Sequence, residues 1–121
     1  MILVDTFVWI DFFRKIDSEI GGRLSGHLEG GEVIAVSAIF GELLQGAKNE
    51  AEEKVILEFW QSLPKIDEED LFIEAGKLSR EFKLTTKGVG LVDGYILAAC
   101  KQEKLTLWTL NKKLLEVFLK L

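Results

Sequence analysis

Asp5, Glu42, Asp93 and Asn111 are the residues of this chain whose types and places could do chemistry together. Asp5 directly follows the apolar run Met1-Ile2-Leu3-Val4, and Asn111 follows the apolar segment Leu105 to Leu110. Glu42 lies shortly after Glu32 to Val36, and Asp93 comes just after a loop marked by Gly88 and Gly90. Three carboxylates brought to one place repel one another unless a cation lies between them, and hard oxygen donors suit Mg²⁺ or Mn²⁺. A divalent ion held there makes water acidic enough to attack, polarises a phosphoryl oxygen and steadies a leaving oxyanion. The chemistry to expect is metal-assisted hydrolysis of a phosphodiester. The lone His27 cannot supply the paired imidazole acid and base of a metal-free ribonuclease. Taken singly, each acid has a plainer reading: Asp5 as a turn or cap, Glu42 as a solvated helix position, Asp93 as an N-cap. Asp5 differs, because a carboxylate between a buried strand and an aromatic-rich helix is expected beside a crevice whatever its task.

The elements that must position these residues follow from the hydrophobic pattern. Met1 to Val4 reads as a strand buried on both faces, with Asp5 at its end. Thr6 is then the expected N-cap of a helix carrying Trp9, Phe12, Phe13 and Ile16. Asp17 to Leu28 is a weaker helical segment, because Gly21, Gly22 and Gly26 lower its propensity. Glu32 to Val36 reads as a second buried strand, and Ser37 as the cap of a helix with Ile39, Phe40, Leu43 and Leu44 inward. The acidic stretch Asn49 to Lys54 opens a helix that Pro64 stops. Leu71, Ala75, Leu78 and Phe82 form the cleanest amphipathic stripe. Asp93 opens the next helix, with Ile96, Leu97 and Cys100 inward, and Leu105 to Leu110 is the last strand before a helix with Leu114, Leu115 and Phe118 inward. Strands alternating with helices predict an α/β fold: one domain over residues 1–121, a central, mostly parallel sheet flanked by helices on both faces. Ligands of such sheets bind beyond the carboxyl ends of the strands, and the alternation can bring all four candidate residues to that edge.

Composition narrows the field. The 121 residues, 48% hydrophobic and 29% charged, make an ordinary globular chain with enough length for a core. One cysteine and one histidine exclude an intramolecular disulfide, a zinc finger and an iron–sulfur cluster. The longest apolar stretch, Val33 to Leu44, is broken by Ser37, Gly41 and Glu42, so no membrane span is expected, and Asp5 and Asp11 argue against an export signal. A cytoplasmic protein is the expectation. A net charge of −5 excludes a broad nucleic-acid grip but leaves room for a small site. Phe7 stands where a phosphoaspartate hydrolase needs a second aspartate, and Thr6-Phe7-Val8 where a nucleotide fold needs its glycine signature.

Four segments taken together resemble the successive motifs of PIN-domain ribonucleases of the VapC toxin type. They are Ile2-Leu3-Val4-Asp5-Thr6-Phe7-Val8-Trp9-Ile10-Asp11-Phe12-Phe13, Gly41-Glu42-Leu43-Leu44-Gln45-Gly46, Asp93-Gly94-Tyr95-Ile96-Leu97-Ala98-Ala99 and Leu107-Trp108-Thr109-Leu110-Asn111. The resemblance spans nearly the whole chain. It implies a PIN-like fold, a Mg²⁺- or Mn²⁺-dependent endoribonuclease acting on RNA, commonly a homodimer, and a cognate VapB-like antitoxin that inserts a segment at the site. It makes Asp5, Glu42 and Asp93 the catalytic, metal-binding acids and Thr6 the hydroxyl residue beside the first. One position departs: the family's aspartate after the last strand is Asn111 here, which keeps an oxygen acceptor but loses the charge. That predicts weaker metal affinity, with Asn111 as an auxiliary ligand. It also raises an alternative, a catalytically weakened or inactive module that binds RNA or protein. Lys112 and Lys113 are candidate RNA contacts, though exposed lysines opening a helix are common, and Thr109 either orients a water on the ion or packs in its strand.

Overall fold

The apolar tetrapeptide at the N-terminus forms the middle of the sheet. In the computed structural model, which describes residues 1–15 and 17–121, strand β1 (Ile2–Val4) pairs in parallel with β2 (Val33–Ile34) on one side and β3 (Thr106–Trp108) on the other. The register sets Ile2 opposite Val33 and Thr106, and Leu3 opposite Ile34 and Leu107. A central parallel strand has no solvent face, which is why β1 reads as an unbroken apolar run. Ala35 extends the β2 edge through a single parallel bridge to Lys65.

Helices α1 (Thr6–Arg14), α2 (Glu19–Glu29), α3 (Ser37–Gln45), α4 (Glu50–Ser62), α5 (Leu71–Glu81), α6 (Leu91–Glu103) and α7 (Lys112–Leu119) fill the connections, with a 3₁₀ turn at Leu84–Lys87. Trp9 is the largest fully buried side chain, packed edge-on against Phe12 and Phe40 and stacked on Phe13. These aromatics are core, as their helical spacing predicts. Ile16, counted above in the same stripe, lies outside the described residues.

Several sequence expectations need correction at element ends. Asp5, not Thr6, is the N-cap of α1, accepting the Thr6 N–H at 2.8 Å. Val36, not Ser37, occupies the N-cap of α3, and the opening amide of that helix is satisfied from outside. Glu68, from the loop before α5, accepts the Ser37 N–H at 3.1 and 3.2 Å and its hydroxyl at 2.6 Å, placing negative charge at a helix N-terminus where the dipole favours it. The glycine-rich segment is a full helix, α2, because the Ser18 hydroxyl caps it by accepting the Gly21 N–H and Leu24 is wholly buried. A Cβ at Gly21 would stand 2.7 Å from that capping oxygen, so a larger residue there would require the serine side chain to shift. Asp93 lies in the first turn of α6, whose N-cap is Gly90. In α7 Leu114 is buried and Phe118 packs against the core as expected, but Leu115 faces outward and Val117 takes the inward place. Regular pairing in the last strand stops at Trp108, leaving Leu110 half exposed.

Candidate functional site

Because all three strands run parallel, their carboxyl ends lie at one edge, and the segments leaving that edge carry the candidate residues. Asp5 is fixed first. Its N–H donates to the Trp108 carbonyl at 2.9 Å, tying the end of β1 to the end of β3. Its side chain is buried, with Oδ1 accepting from the Thr6 amide and Oδ2 accepting from the Thr109 hydroxyl at 2.6 Å. Thr109 in turn accepts the Asn111 N–H at 3.0 Å. The Thr109 side chain therefore grips the first acid across the sheet, a contact between residues 104 positions apart that no local pattern reveals.

Glu42, in the second turn of α3, reaches the same place through Thr6, whose hydroxyl donates to its Oε1 at 2.8 Å. Asp93 arrives from the first turn of α6. Burial raises its carboxyl pKa above the ordinary value, the negative charges of Asp5 and Glu42 raise it further, and the Gly90 backbone partly opposes them. Asp5, Thr6, Glu42, Asp93 and Asn111 line one cavity of about 350 Å³, together with Phe7, Ile10, Gln45 and Gly46. Among the described residues that line it, three are carboxylates and none carries a positive charge. Thr109 acts on it from behind Asp5, and Lys112 and Lys113 lie beyond Asn111 in the first turn of α7.

Sequence reasoning did not single out the rest of the lining. Gln45 and Gly46 close it at the end of α3, and Arg14 secures that corner by donating to the Gly46 carbonyl at 2.9 Å and to Glu52 at 2.8 Å. The guanidinium holds the Glu52 carboxyl below the usual carboxylate range. In the sequence Arg14 is only an arginine at a helix end, where cations are ordinary. Phe7, 65% exposed beside Thr6, was not expected to line the site because it falls outside the buried stripe of α1.

The donor set fits a hard divalent cation in chemistry: carboxylate and hydroxyl oxygens, no sulfur, no imidazole. In spacing, no three His, Cys, Asp or Glu side chains among the described residues stand close enough to grip one ion directly. Mg²⁺ usually keeps several waters and takes one or two carboxylates, so such a set suits contacts completed by water. Asn111 fits less well than expected as an auxiliary ligand. Its Oδ1 caps α7 by accepting the N–H groups of Lys113 at 3.0 Å and Leu114 at 3.2 Å, which uses both lone pairs of the amide oxygen.

A parallel α/β protein with an acidic, cation-poor cavity at the carboxyl edge of its sheet is the class these observations define. The model of the PIN domain family matches residues 2–118, and the chain belongs to that family, whose members are in general nucleases. Among solved structures the chain is similar to the crystal structure of FitAcB from Neisseria gonorrhoeae, with a TM-score of 0.66 and 22% sequence identity over 98% of this chain and 93% of that one. At that identity the likeness is one of fold. A comparison with curated proteins gave no match. Among the described residues no helix is long and apolar enough to cross a membrane.

Proposed function

We propose that residues 1–121 form one PIN-like domain that cleaves RNA as a Mg²⁺- or Mn²⁺-dependent endoribonuclease, the cytoplasmic toxin of a VapBC-type pair. In this reading Asp5, Glu42 and Asp93 hold the cation, directly or through water. The protein acts as a homodimer and is silenced by a VapB-like antitoxin. The observation that carries the reading is the gathering of three carboxylates from three separate elements around one cavity with no cation among its described lining residues. Repulsion of that kind is costly to the fold and is relieved by a bound cation.

The bound ion would supply Lewis acidity and a more acidic water. The chain's own residues do the positioning. Thr6 and Thr109 each hold one oxygen of Asp5, fixing its rotamer, and the Thr6 hydroxyl fixes Glu42 in the same frame. Burial of Asp5 keeps bulk water from competing for its oxygens. Protein freed of any partner is expected to cleave RNA with Mg²⁺ or Mn²⁺, and no cleavage with either ion would overturn the reading.

A second reading has its own support. With both lone pairs of the Asn111 oxygen engaged in capping, position 111 brings neither charge nor a free acceptor to the cavity. A site so weakened would bind RNA or protein without turnover. Asn111→Asp separates the two, since aspartate caps a helix as well as asparagine while restoring a charge. Activity rising at least tenfold supports the nuclease, and no change supports the binding module.

A further inference from the structure

A polyanionic substrate meets repulsion at the acid cavity, and the net charge of −5 gives it no general attraction to the chain. Positive charge is nevertheless concentrated on one flank. Arg80, Lys83, Lys87, Lys112 and Lys113 stand at the end of α5, along the 3₁₀ turn and at the start of α7, and among the described residues none of the five is in an ion pair. Arg80 and Lys83 line a cavity of about 460 Å³ with the hydroxyl residues Ser79, Thr85 and Thr86 and with Leu91. Among the described residues that line it there is no carboxylate. Glu81, the one acid within the local sequence, lines the groove on the other side of α5 with Lys77 and Lys101. The chain is built to turn here: Lys83 adopts a left-handed conformation with φ of 53°, and its carbonyl accepts both the N–H and the hydroxyl of Thr86.

The start of α7 links this cationic cavity to the acidic one. The Lys113 Nζ lies 3.1 Å from where a Cβ at Gly88 would stand, so the first turn of α7 rests against the loop that leaves the 3₁₀ turn. Asn111, two residues before Lys113, lines the acid cavity, so the start of α7 carries the cationic flank up to it. We propose that this flank, from Lys112 and Lys113 past Gly88 to the cavity of Arg80 and Lys83, seats the phosphate backbone of single-stranded RNA a few nucleotides from the bond being cut. The inference rests on the nuclease reading and extends it. Cations and hydroxyls without carboxylates suit phosphate and ribose oxygens, and the exposed side chain of Leu91 offers an apolar surface to a base.

The test uses the full chain, a fluorescein-labelled twelve-nucleotide RNA and a trinucleotide too short to reach the flank. Anisotropy without divalent ion gives affinity across a range of NaCl concentrations, and cleavage with Mn²⁺ gives kcat and KM. The double variant Arg80→Gln, Lys83→Gln is expected to bind the longer RNA at least tenfold more weakly. Its slope of log affinity against log salt should be shallower by about 1.4, at roughly 0.7 per lost phosphate contact on a single strand. KM for the longer RNA should rise while cleavage of the trinucleotide stays unchanged. The double variant Lys77→Gln, Lys101→Gln, on the opposite groove, is expected to behave as wild type. Unchanged affinity and slope in the first variant, in a wild type that cuts RNA, would overturn the flank and leave the nuclease standing. A wild type that binds the longer RNA with the full salt slope but cuts nothing would support the flank and remove the nuclease.

Discussion

Two cavities of this molecule differ in a way that size alone would misjudge. The groove between α5 and α6 is the larger, about 510 Å³, and the cavity at the sheet edge is about 350 Å³. Charges in the groove balance: Glu74 and Glu81 face Lys77 and Lys101, and Lys77 pairs with Glu74 at 3.4 Å. In the smaller cavity three acids meet without a counter-charge, and burial with mutual repulsion already raises the Asp93 carboxyl pKa. A balanced solvated groove is what helix surfaces make by default, whereas three acids gathered without a counter-charge, two of them fixed by Thr6 and Thr109, carry a repulsive cost.

The most direct way to break the comparison is to neutralise one acid in each cavity. Asp5→Asn is expected to cut RNA cleavage by at least a hundredfold, while Glu74→Gln leaves cleavage within a factor of two, as read by initial rates at saturating Mn²⁺. Thr109→Val keeps every carboxylate but frees Oδ2 of Asp5. It should lower kcat about tenfold with little change in KM if its task is to hold Asp5; a rise in KM alone would assign Thr109 to binding. Asn111→Ala removes the cap of α7. A lost cap costs about 1 kcal/mol, and thermal melting should show it as a fall of roughly 3–6 °C in Tm. Cys100 sharpens the comparison from the core side: burial, assisted by the charge of Asp5, pushes its thiol up to about 12. An ordinary thiol is half ionised near pH 8.5, whereas the folded chain keeps Cys100 almost entirely as the unreactive thiol at that pH. Iodoacetamide should leave Cys100 unmodified in the native protein and label it in urea.

The sequence exposes what depends on runs and periods. An apolar tetrapeptide had to be a central strand, and a carboxylate directly after it had to sit at the sheet edge, so Asp5 was legible as a site residue from its position in the chain. Glu42 and Asp93 were not legible singly, because a glutamate in a helix and an aspartate near a helix start are ordinary; only the parallel topology brings them to Asp5. Two helix starts take their capping oxygens from a residue other than the expected one, in one case adjacent and in the other distant. Thr6 and Ser37 are good capping residues by type, yet the capping oxygens come from Asp5 and from Glu68, the latter 31 positions away in sequence. The Thr109 grip on Asp5 and the Arg14 clamp on Gly46 and Glu52 are likewise long-range contacts with no local periodicity. The glycine-rich α2 shows the opposite imbalance, where a serine cap and one buried leucine outweigh a propensity cost of roughly 1 kcal/mol per glycine.

Manganese-binding calorimetry on the wild type and on Asp93→Asn tests the shared cation site most directly. The wild type is expected to bind Mn²⁺ with a measurable heat and the variant to lose at least tenfold in affinity while keeping its fold by circular dichroism. Equal heats and equal affinities for the two proteins would contradict the claim that these acids hold a metal ion together.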